Sequence, residues 1–570
     1  MEITNNSSTE QRQSKKEKGG WRAIKYILAN ETFEKLASMS LIANLTVYLQ
    51  THYNMDGILL ISVVSVWSGS CNVTPIIGAL FSDTFLGRFR TLLFGSISSF
   101  LGMGIIAFTA AISALRPPTC IDKGNCIGPK EWQLGVLLIG LGLLAIGAGG
   151  IRPCNIAFGA DQFDTTTKKG RTQLESFFNW WYFSFTLALV VALTGVVYIQ
   201  TNVSWTLGFF IPTMCLFFSI AIFIIGHHTY ILAKPQGSVF VDVAKVIVAA
   251  FRKRGLRASE HTLHDPPPLE NEVKIPHSER FRCLDKAAMV VDESEVDKQG
   301  LPKNGWKLTS VQQVEHLKML LGMLPVWIAG IGCFIAMDQQ NTIGIMQVIQ
   351  SNKKLGSHFQ VPPGWMGLSS MIALAIWIFI YEQIWVPQAR KLTGKTKRLT
   401  MTHRLNIGIV IAIVCALVAA AVETKRRGAA LKSGAFESPL SVLFFLPQFA
   451  LSGLIEAFAA VALMELLTTQ LPESMRTVAG AIFFLSLSVS SYLNSLLVNI
   501  VYTTTKKSGK GPWLGGHDLN KDRLEYFYCL LAGIEVLNLI YFNAFARHFL
   551  AKNGGSKEEQ RSEDKAVETA

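Results

Sequence analysis

Twelve long apolar runs divide this chain of 570 residues and constrain its fold more than any other feature. A helix needs about 20 apolar residues to cross the hydrocarbon core of a bilayer, and each run is about that long. The runs lie near residues 27–49, 58–81, 91–114, 132–157, 176–199, 206–232, 316–346, 365–387, 403–422, 438–467, 477–502 and 526–549. Six runs precede a long polar segment and six follow it. The pattern predicts an all-α membrane protein with two six-helix bundles.

The polar stretches predict how the chain is divided. We expect a disordered N-terminus over residues 1–20 and a first bundle over residues 21–233. A linker over residues 234–313 leads to a second bundle over residues 314–551 and a disordered tail over residues 552–570. Residues 1–20 lack the short apolar core of a cleavable signal peptide. In the linker, Ser238 to Arg254 predicts an amphipathic helix on the inner leaflet or against the bundles, with a stripe of Val239, Val243, Ile247, Ala250 and Phe251. The remaining linker is either a spacer or a regulatory docking site.

The distribution of charge supports a membrane location. Only 16% of the residues are charged, whereas soluble domains carry about 25%. A net charge of +13 would suggest nucleic-acid binding in a soluble protein, but the basic residues cluster between apolar runs, as in positive-inside topology. We therefore expect no nucleic-acid partner, and both termini and the linker in the cytoplasm. A basic group after the ninth run fits this topology less well, because it would lie outside: Lys425, Arg426, Arg427 and Lys432.

The sequence carries no signature of an enzyme or a metal site. The nine cysteines show no metal-ligand spacing, and the chain has no G-x-S-x-G or H-E-x-x-H motif. We therefore expect no catalytic activity, no metal and no cofactor. Cys120 and Cys126 lie close together outside an apolar run, so they form either a disulfide in an outer loop or two free thiols.

The first apolar run begins with a cluster of charges, Asn30-Glu-Thr-Phe-Glu-Lys35. Glu31, Glu34 and Lys35 are three and four residues apart, so they share one face of a helix. Each charge in a membrane costs about 2.5–3.5 kcal/mol on insertion scales, so such residues are usually functional. We interpret the cluster as a proton-coupling site, with a structural ion-pair knot as the alternative.

Two further charges stand within the runs, one in each half. Arg152 follows Gly147-Ala-Gly-Gly150 in the fourth run, and Glu456 lies in the middle of the tenth. Two-bundle carriers bind substrate near the midplane where the halves meet, so we expect both residues at the substrate site. The alternative is that they make polar contacts between packed helices.

A loop motif points to a known fold. Gly78-Ala-Leu-Phe-Ser-Asp83-Thr-Phe-Leu-Gly87-Arg88-Phe-Arg90 lies between the second and third runs. It resembles the cytoplasmic signature of the major facilitator superfamily, which implies that superfamily's twelve-helix fold. The resemblance also implies that Asp83, Arg88 and Arg90 latch one conformation without touching substrate.

Further motifs resemble the plant nitrate-and-peptide transporter family (NPF), in the proton-coupled oligopeptide transporter group. They are Glu31-Thr-Phe-Glu34-Lys35, Phe158-Gly-Ala-Asp161-Gln-Phe-Asp164, Leu471-Pro-Glu-Ser-Met475-Arg and Asp518-Leu-Asn-Lys-Asp-Arg523-Leu. Val311-Gln-Gln-Val-Glu-His-Leu-Lys318 is most similar to subfamily 2, whose members carry nitrate or plant glucosides. The resemblance implies that Arg152 and Glu456 form a salt bridge that opens and closes during transport. It also implies a phosphorylation site at Thr91, which could instead be an ordinary helix-start residue.

The resemblance also bears on the substrate. Peptide transport is disfavoured, because Leu36-Ala-Ser38-Met39 replaces the family's aromatic residues. The position of the family's nitrate-binding His is Met337, which cannot offer a charged hydrogen bond, so high-affinity nitrate binding is disfavoured too. Aromatic faces surrounded by amides suit a sugar, so we place the pocket at Asn44, Trp67, Asn72, Met337 and Gln340.

The sequence thus predicts a symporter that couples protons to import of an anionic or glycosylated plant metabolite, glucosinolate-like or iridoid-glucoside-like. The alternatives are a low-affinity nitrate transporter or exporter, and a membrane sensor without net transport. We expect a monomer in the plasma membrane or the vacuolar membrane, with a kinase as a partner if Thr91 is modified.

Overall fold

The computed structural model describes residues 19–120, 126–164, 167–232, 239–256, 262–266, 275–292, 295–297, 302–356, 359–393, 399–471, 476–507 and 512–549. Long helices dominate these ranges, which confirms the predicted all-α class. Eleven helices are long and apolar enough to cross a membrane. A twelfth long helix, at the start of the described chain, carries the predicted charge cluster. The protein is therefore a multi-pass membrane protein.

The six long helices of the N-terminal half overlap the predicted runs. They are α1 (Trp21–Thr51), α2 (Gly57–Leu86), α3 (Arg88–Ala111), α4 (Glu131–Ala160), α5 (Lys168–Val203) and α6 (Trp205–Thr229). The amide of Gly19 donates to the carbonyl of Thr229 at 2.7 Å, so α1 begins where α6 ends. We call this the near end of the molecule, and the opposite end the far end.

The C-terminal half repeats this arrangement after a shorter helix, α7 (Val239–Arg252), and a single helical turn, Arg282–Asp285. Its long helices are α8 (Val311–Ile349), α9 (Trp365–Gln388), α10 (Met401–Ser433), α11 (Val442–Thr469), α12 (Arg476–Lys506) and α13 (Leu524–Phe549). A two-stranded antiparallel sheet connects α8 to α9, with β1 (Lys354–Leu355) paired to β2 (Phe359–Gln360) so that Lys354 is opposite Gln360. Several long helices contain π-helical turns, including Gln340–Gly344, Tyr381–Trp385 and Glu456–Ala460.

Glycines set the distance between α3 and α4. A methyl group on Gly95 would lie 3.0 Å from both the carbonyl oxygen of Gly147 and the Cα atom of Gly150. Small residues let the backbones of membrane helices approach closely. Such close packing drives association in a membrane, because apolar side chains gain little by leaving lipid. The glycine-rich run therefore fixes the position of Arg152, two residues later. In the loop between these helices, a disulfide joins Cys120 to Cys126.

The central segment packs against the near end of α8. Val246, Ala249 and Ala250 of α7 are buried against Val311, Val314 and Leu317. Two members of the predicted stripe lie elsewhere: Ile247 is 52% and Phe251 is 65% exposed. The small side chains of Ala249 and Ala250 allow the closer approach, so the protein-facing surface is rotated from the one we predicted.

An ion-pair network fastens this segment to α8. The buried ammonium of Lys318 contacts Asp285 Oδ1 at 2.6 Å, Glu315 Oε1 at 2.8 Å and the carbonyl of Ser278 at 2.7 Å. His277, Asp285 and Glu315 each offer one atom that could bind a metal. The ammonium already contacts both carboxylates, so we interpret the group as an anchor for the segment.

Hydrogen bonds between the two halves lie toward the far end, as far as the described residues show. They connect α2 to α12, α1 to α8 and α5 to β2. We call them the far-end seam. Its pairs are Ser62–Asn499, Ser65–Asn494, Gly69–Ser488, Ser70–Tyr492, Thr46–Asn341 and Asn202–Gln360. Every group in them is uncharged, and the seam closes the molecule at this end.

Two members of the basic group that fitted the topology poorly, Arg426 and Arg427, are paired in the structure, whereas Lys425 and Lys432 are exposed. Arg426 is fully buried, and its Nε and Nη2 atoms donate to Glu423 at 2.8 Å each. Its Nη1 atom donates to Asn520 Oδ1 at 2.9 Å. Arg427 lies 3.5 Å from Glu525. The helix α10 reaches Ser433, well beyond the predicted end of the run at 422, which brings these residues inside the protein.

Candidate functional site

The predicted charge cluster forms on one face of α1. The ammonium of Lys35 lies 3.0 Å from Glu34 Oε2 and 3.8 Å from Glu31 Oε1. Glu31 and Glu34 are buried, with 1% and 7% of their surface exposed. Asn155 of α4 donates a hydrogen bond to Glu31 Oε2. The cluster therefore combines two carboxylates and one ammonium in a site almost closed to water.

Neighbouring helices hold the cluster in place. The side-chain amide of Asn30 donates to Ser219 Oγ of α6 at 2.7 Å, and Ser219 Oγ donates to the carbonyl of Asn30 at 3.1 Å. This reciprocal pair fixes the rotation of α1 one residue before Glu31. Because α1 cannot rotate freely, the direction in which Glu31, Glu34 and Lys35 project is set by the fold.

Arg152 lies beside the cluster and is bound by neutral groups. Its Nη1 atom donates to the carbonyl of Cys71 at 2.9 Å and to Asn72 Oδ1 at 2.8 Å. It lines the same cavity as Glu34. Within the described residues it forms no ion pair, so its positive charge is available to an anion.

A cavity in the N-terminal half connects these groups. Its lining includes Glu34, Ser38, Trp67, Cys71, Ser99 and Arg152. The indole of Trp67 donates to the carbonyl of Leu141 at 3.1 Å, which holds the ring in place. One wall thus presents a carboxylate, a guanidinium and an aromatic ring.

Glu456 lies in the π-helical turn of α11 and is partly buried. The implied salt bridge to Arg152 is not formed in this conformation, since Arg152 is bound to Cys71 and Asn72. The pair remains a prediction for another state of the transport cycle.

The five predicted pocket residues are not brought together in this conformation. Trp67 lines the cavity, and Asn72 holds Arg152. Asn44 is fully buried near the far end, where its amide donates to Gln200 and Thr201 at 3.0 Å each. Gln340 is buried in a π-helical turn, and Met337 packs against the core of the C-terminal half.

The loop between α2 and α3 forms an ion pair that the sequence did not specify. Arg88 binds Asp161, at the end of α4, at 2.6 Å, while Arg90 is exposed and Asp83 partly buried. Asp161 stands in the motif Phe158-Gly-Ala-Asp161, which could have suggested it. The latch itself remains a prediction.

Thr91 is buried, and its hydroxyl donates to the carbonyl of Gly87 at 3.0 Å, so phosphorylation there requires local opening.

Sequence reasoning also missed a polar group at the start of the seam. Asp338 Oδ2 accepts hydrogen bonds from Ser491 at 2.5 Å and from Ser490 at 3.5 Å. The next residue, Gln339, donates to Asn494, which in turn donates to Ser65. The available signal was a series of polar residues in the eleventh run, Ser490, Asn494 and Asn499, which are four and five residues apart.

Comparison with known proteins gives a consistent result. The model of the POT family matches residues 89–514. "Protein NRT1/ PTR FAMILY 2.8" of Arabidopsis thaliana is 57% identical over 558 residues, covering 97% of this chain and 99% of the relative. "Protein NRT1/ PTR FAMILY 2.13" of Arabidopsis thaliana is 41% identical over 549 residues, covering 95% of this chain and 88% of the relative.

Solved structures show the same fold. The crystal structure of the POT family transporter PepTSo aligns with a TM-score of 0.67 at 18% identity, covering 93% of this chain and 98% of that chain. An auto-inhibited POT family peptide transporter aligns with a TM-score of 0.65 at 17% identity, covering 92% of this chain and 97% of that chain. At these identities the likeness concerns the fold alone.

Proposed function

The chain belongs to the POT family of transporters, among the subfamily 2 members of the plant NRT1/PTR group, and from this premise we propose that it is a proton-coupled symporter. Its cargo is an anionic or glycosylated plant metabolite, of the glucosinolate or iridoid-glucoside kind. The observation that carries the proposal is the buried cluster of Glu31, Glu34 and Lys35 beside the cavity that contains Arg152.

The cluster can couple a proton to movement. A carboxylate that takes up a proton loses its attraction to Lys35. Lys35 is then free to interact with another acid or with the cargo, and the balance of contacts between the bundles changes. Glu34 is suited to this role because it contacts Lys35 at 3.0 Å and also lines the cavity.

The cavity favours an anionic cargo with an aromatic-binding face. Arg152 has only neutral partners among the described residues, and a guanidinium binds sulfate or carboxylate oxygens well. Trp67 offers a ring face on which a sugar can stack. A glucosinolate carries both a sulfate and a glucose, so it satisfies both features, whereas nitrate uses only the first.

The far-end seam supports transport by alternating access. It joins the halves at one end, while the cavity beside Glu34 and Arg152 lies around the middle of α1 and α4. We propose that the near end is cytoplasmic, so that the described conformation faces inward. Opening the seam and closing the near end would expose the same cavity to the other side. We place the protein in the plasma membrane as a monomer.

Replacing Glu34 with Gln tests proton coupling. One coupled proton provides about 1.36 kcal/mol per pH unit, which supports about tenfold accumulation. Wild-type protein in proteoliposomes should accumulate a glucosinolate under an inward proton gradient, whereas Glu34→Gln should only equilibrate it. Glu437→Gln, at a surface ion pair with Lys353, is the matched control. Concentrative uptake by Glu34→Gln would refute the assignment.

Cargo and carrier activity are tested separately. Arg152→Gln should abolish the preference for a glucosinolate over its desulfated analogue, because the residue that meets the sulfate is gone. Competition by nitrate but not by glucosides would favour the nitrate carrier instead. A protein that binds ligand but passes no transport current in oocytes would be a sensor.

A further inference from the structure

We infer that a second cavity, between the near halves of α9, α10 and α11, binds the head group of a phospholipid that carries a primary ammonium. The cavity has a volume of about 180 Å³. It lies in the C-terminal half, apart from the cavity beside Glu34 and Arg152. Its lining combines aromatic rings with charges of both signs: Trp377, Tyr381, Phe458, Glu382, Arg404 and Glu465.

Three aromatic rings line the cavity. The ring centroids of Trp377 and Phe458 are 4.7 Å apart, and those of Trp377 and Tyr381 are 6.2 Å apart. Ring faces attract cations, and Trp does so most strongly. The wall therefore suits an ammonium group better than an uncharged ligand.

The charged residues suit a zwitterion. Arg404 pairs with Glu465, and the two side chains are 14% and 44% exposed, so both remain accessible from the cavity. The guanidinium can bind a phosphate, while the carboxylates of Glu465 and Glu382 accept hydrogen bonds from an ammonium. A zwitterion can contact both members of the Arg404–Glu465 pair, whereas a simple anion or cation would be attracted to only one of them. A choline group has no N–H donor for the carboxylates, which favours ethanolamine.

Location favours a lipid. Arg404 lies in the first turn of α10 and Glu465 in the last turns of α11, where spanning helices leave the hydrocarbon core. Ile378 and Phe379 of α9 are 43% and 63% exposed, which provides apolar surface for acyl chains.

The backbone gives an independent indication. Tyr381 and Glu382 belong to the π-helical turn Tyr381–Trp385, and Phe458 belongs to Glu456–Ala460. A π-helical turn inserts a residue and re-aims the side chains around it, and such turns are frequent at functional sites. Two of them supply the walls of this one cavity.

Native mass spectrometry of the full chain tests the assignment. The protein is mixed with equal amounts of phosphatidylethanolamine, phosphatidylcholine and phosphatidylglycerol that have identical acyl chains. We expect selective retention of phosphatidylethanolamine. Arg404→Gln/Glu465→Gln removes both charges together, so neither is left unpaired, and should weaken retention about tenfold, which corresponds to about 1.4 kcal/mol. Lys353→Gln/Glu437→Gln removes a far-end ion pair in the same way and should change nothing.

Two further arms complete the test. Trp377→Leu keeps an apolar side chain and all charges but removes the ring, so it should also reduce retention, even if the double variant fails to fold. Free phosphoethanolamine shows whether a soluble zwitterion is bound as well: weak competition identifies the lipid as the ligand. Equal retention of the three lipids would overturn the proposal. So would unchanged selectivity in both variants, or tight binding of phosphoethanolamine without lipid retention.

Discussion

Removing the charge of Arg426 should destabilise the protein more than most single substitutions. Arg426 and Glu423 are both fully buried, and two hydrogen bonds of 2.8 Å join them. In Arg426→Met the carboxylate of Glu423 keeps only Gln347 as a donor, at 2.7 Å. Breaking a buried pair by removing one partner costs about 3–5 kcal/mol, because the other charge remains buried without compensation.

Thermal unfolding in detergent, followed by the loss of monodisperse protein, measures this effect. The matched control is Arg427→Met, which removes a neighbouring arginine whose partner Glu525 lies 3.5 Å away. Its loss should cost less, because Glu525 keeps Arg523 at 3.8 Å and the pair is not fully buried. The double variant Glu423→Gln/Arg426→Met should be more stable than Arg426→Met alone, since no charge is stranded. If Arg426→Met unfolds no earlier than Arg427→Met, the assignment of a buried, energetically coupled pair is wrong.

Two other predictions concern the far end. Asn494→Leu removes the hydrogen bond to Ser65, which is worth about 1 kcal/mol, and should raise the population with an open seam about fivefold. Spin-label distances between α2 and α12 measure this population. The control Asn543→Leu breaks a pair within the C-terminal half and should leave the population unchanged. Burial raises the pKa of Asp522 to about 6 although the amides of Gly515 and Gly516 donate to it. The folded protein thus holds this proton more tightly than the unfolded chain, so the stability contributed by Asp522 is lost as the pH rises from about 4 through 6. Asp522→Asn should therefore flatten the dependence of the unfolding temperature on pH in that window, and an unchanged profile would contradict the assignment.

The long helices and the charge cluster could be predicted because both depend on local sequence. A run of about 20 apolar residues has few alternatives to a spanning helix. Likewise, the spacing of Glu31, Glu34 and Lys35 places them on one helical face wherever that helix packs. The structure bears out this placement, with Lys35 between the two acids.

Pairings between distant helices could not be predicted in the same way. Arg88 had several candidate acids in the near-end loops, and the choice of Asp161 depends on how α3 crosses α4. Arg426 was expected in an outer loop, because the apolar run ends before it. In the structure the helix continues to Ser433, where Glu423 and Asn520 satisfy the buried guanidinium. Hydropathy reports where apolar residues end, not where a helix ends.

The neutral far-end seam has a consequence for how the carrier responds to the membrane potential. Moving one elementary charge through a field of about 100 mV changes the free energy by about 2.3 kcal/mol. Separating Ser62 from Asn499, or Ser65 from Asn494, moves no formal charge. Voltage dependence of the cycle must therefore arise from other titratable or charged groups of the interior, such as Glu31, Glu34, Lys35, Arg152, Asp338 and Glu456, or from the cargo. The electrical signature of transport would then report the charge and movement of these groups and of the cargo rather than the opening of the seam.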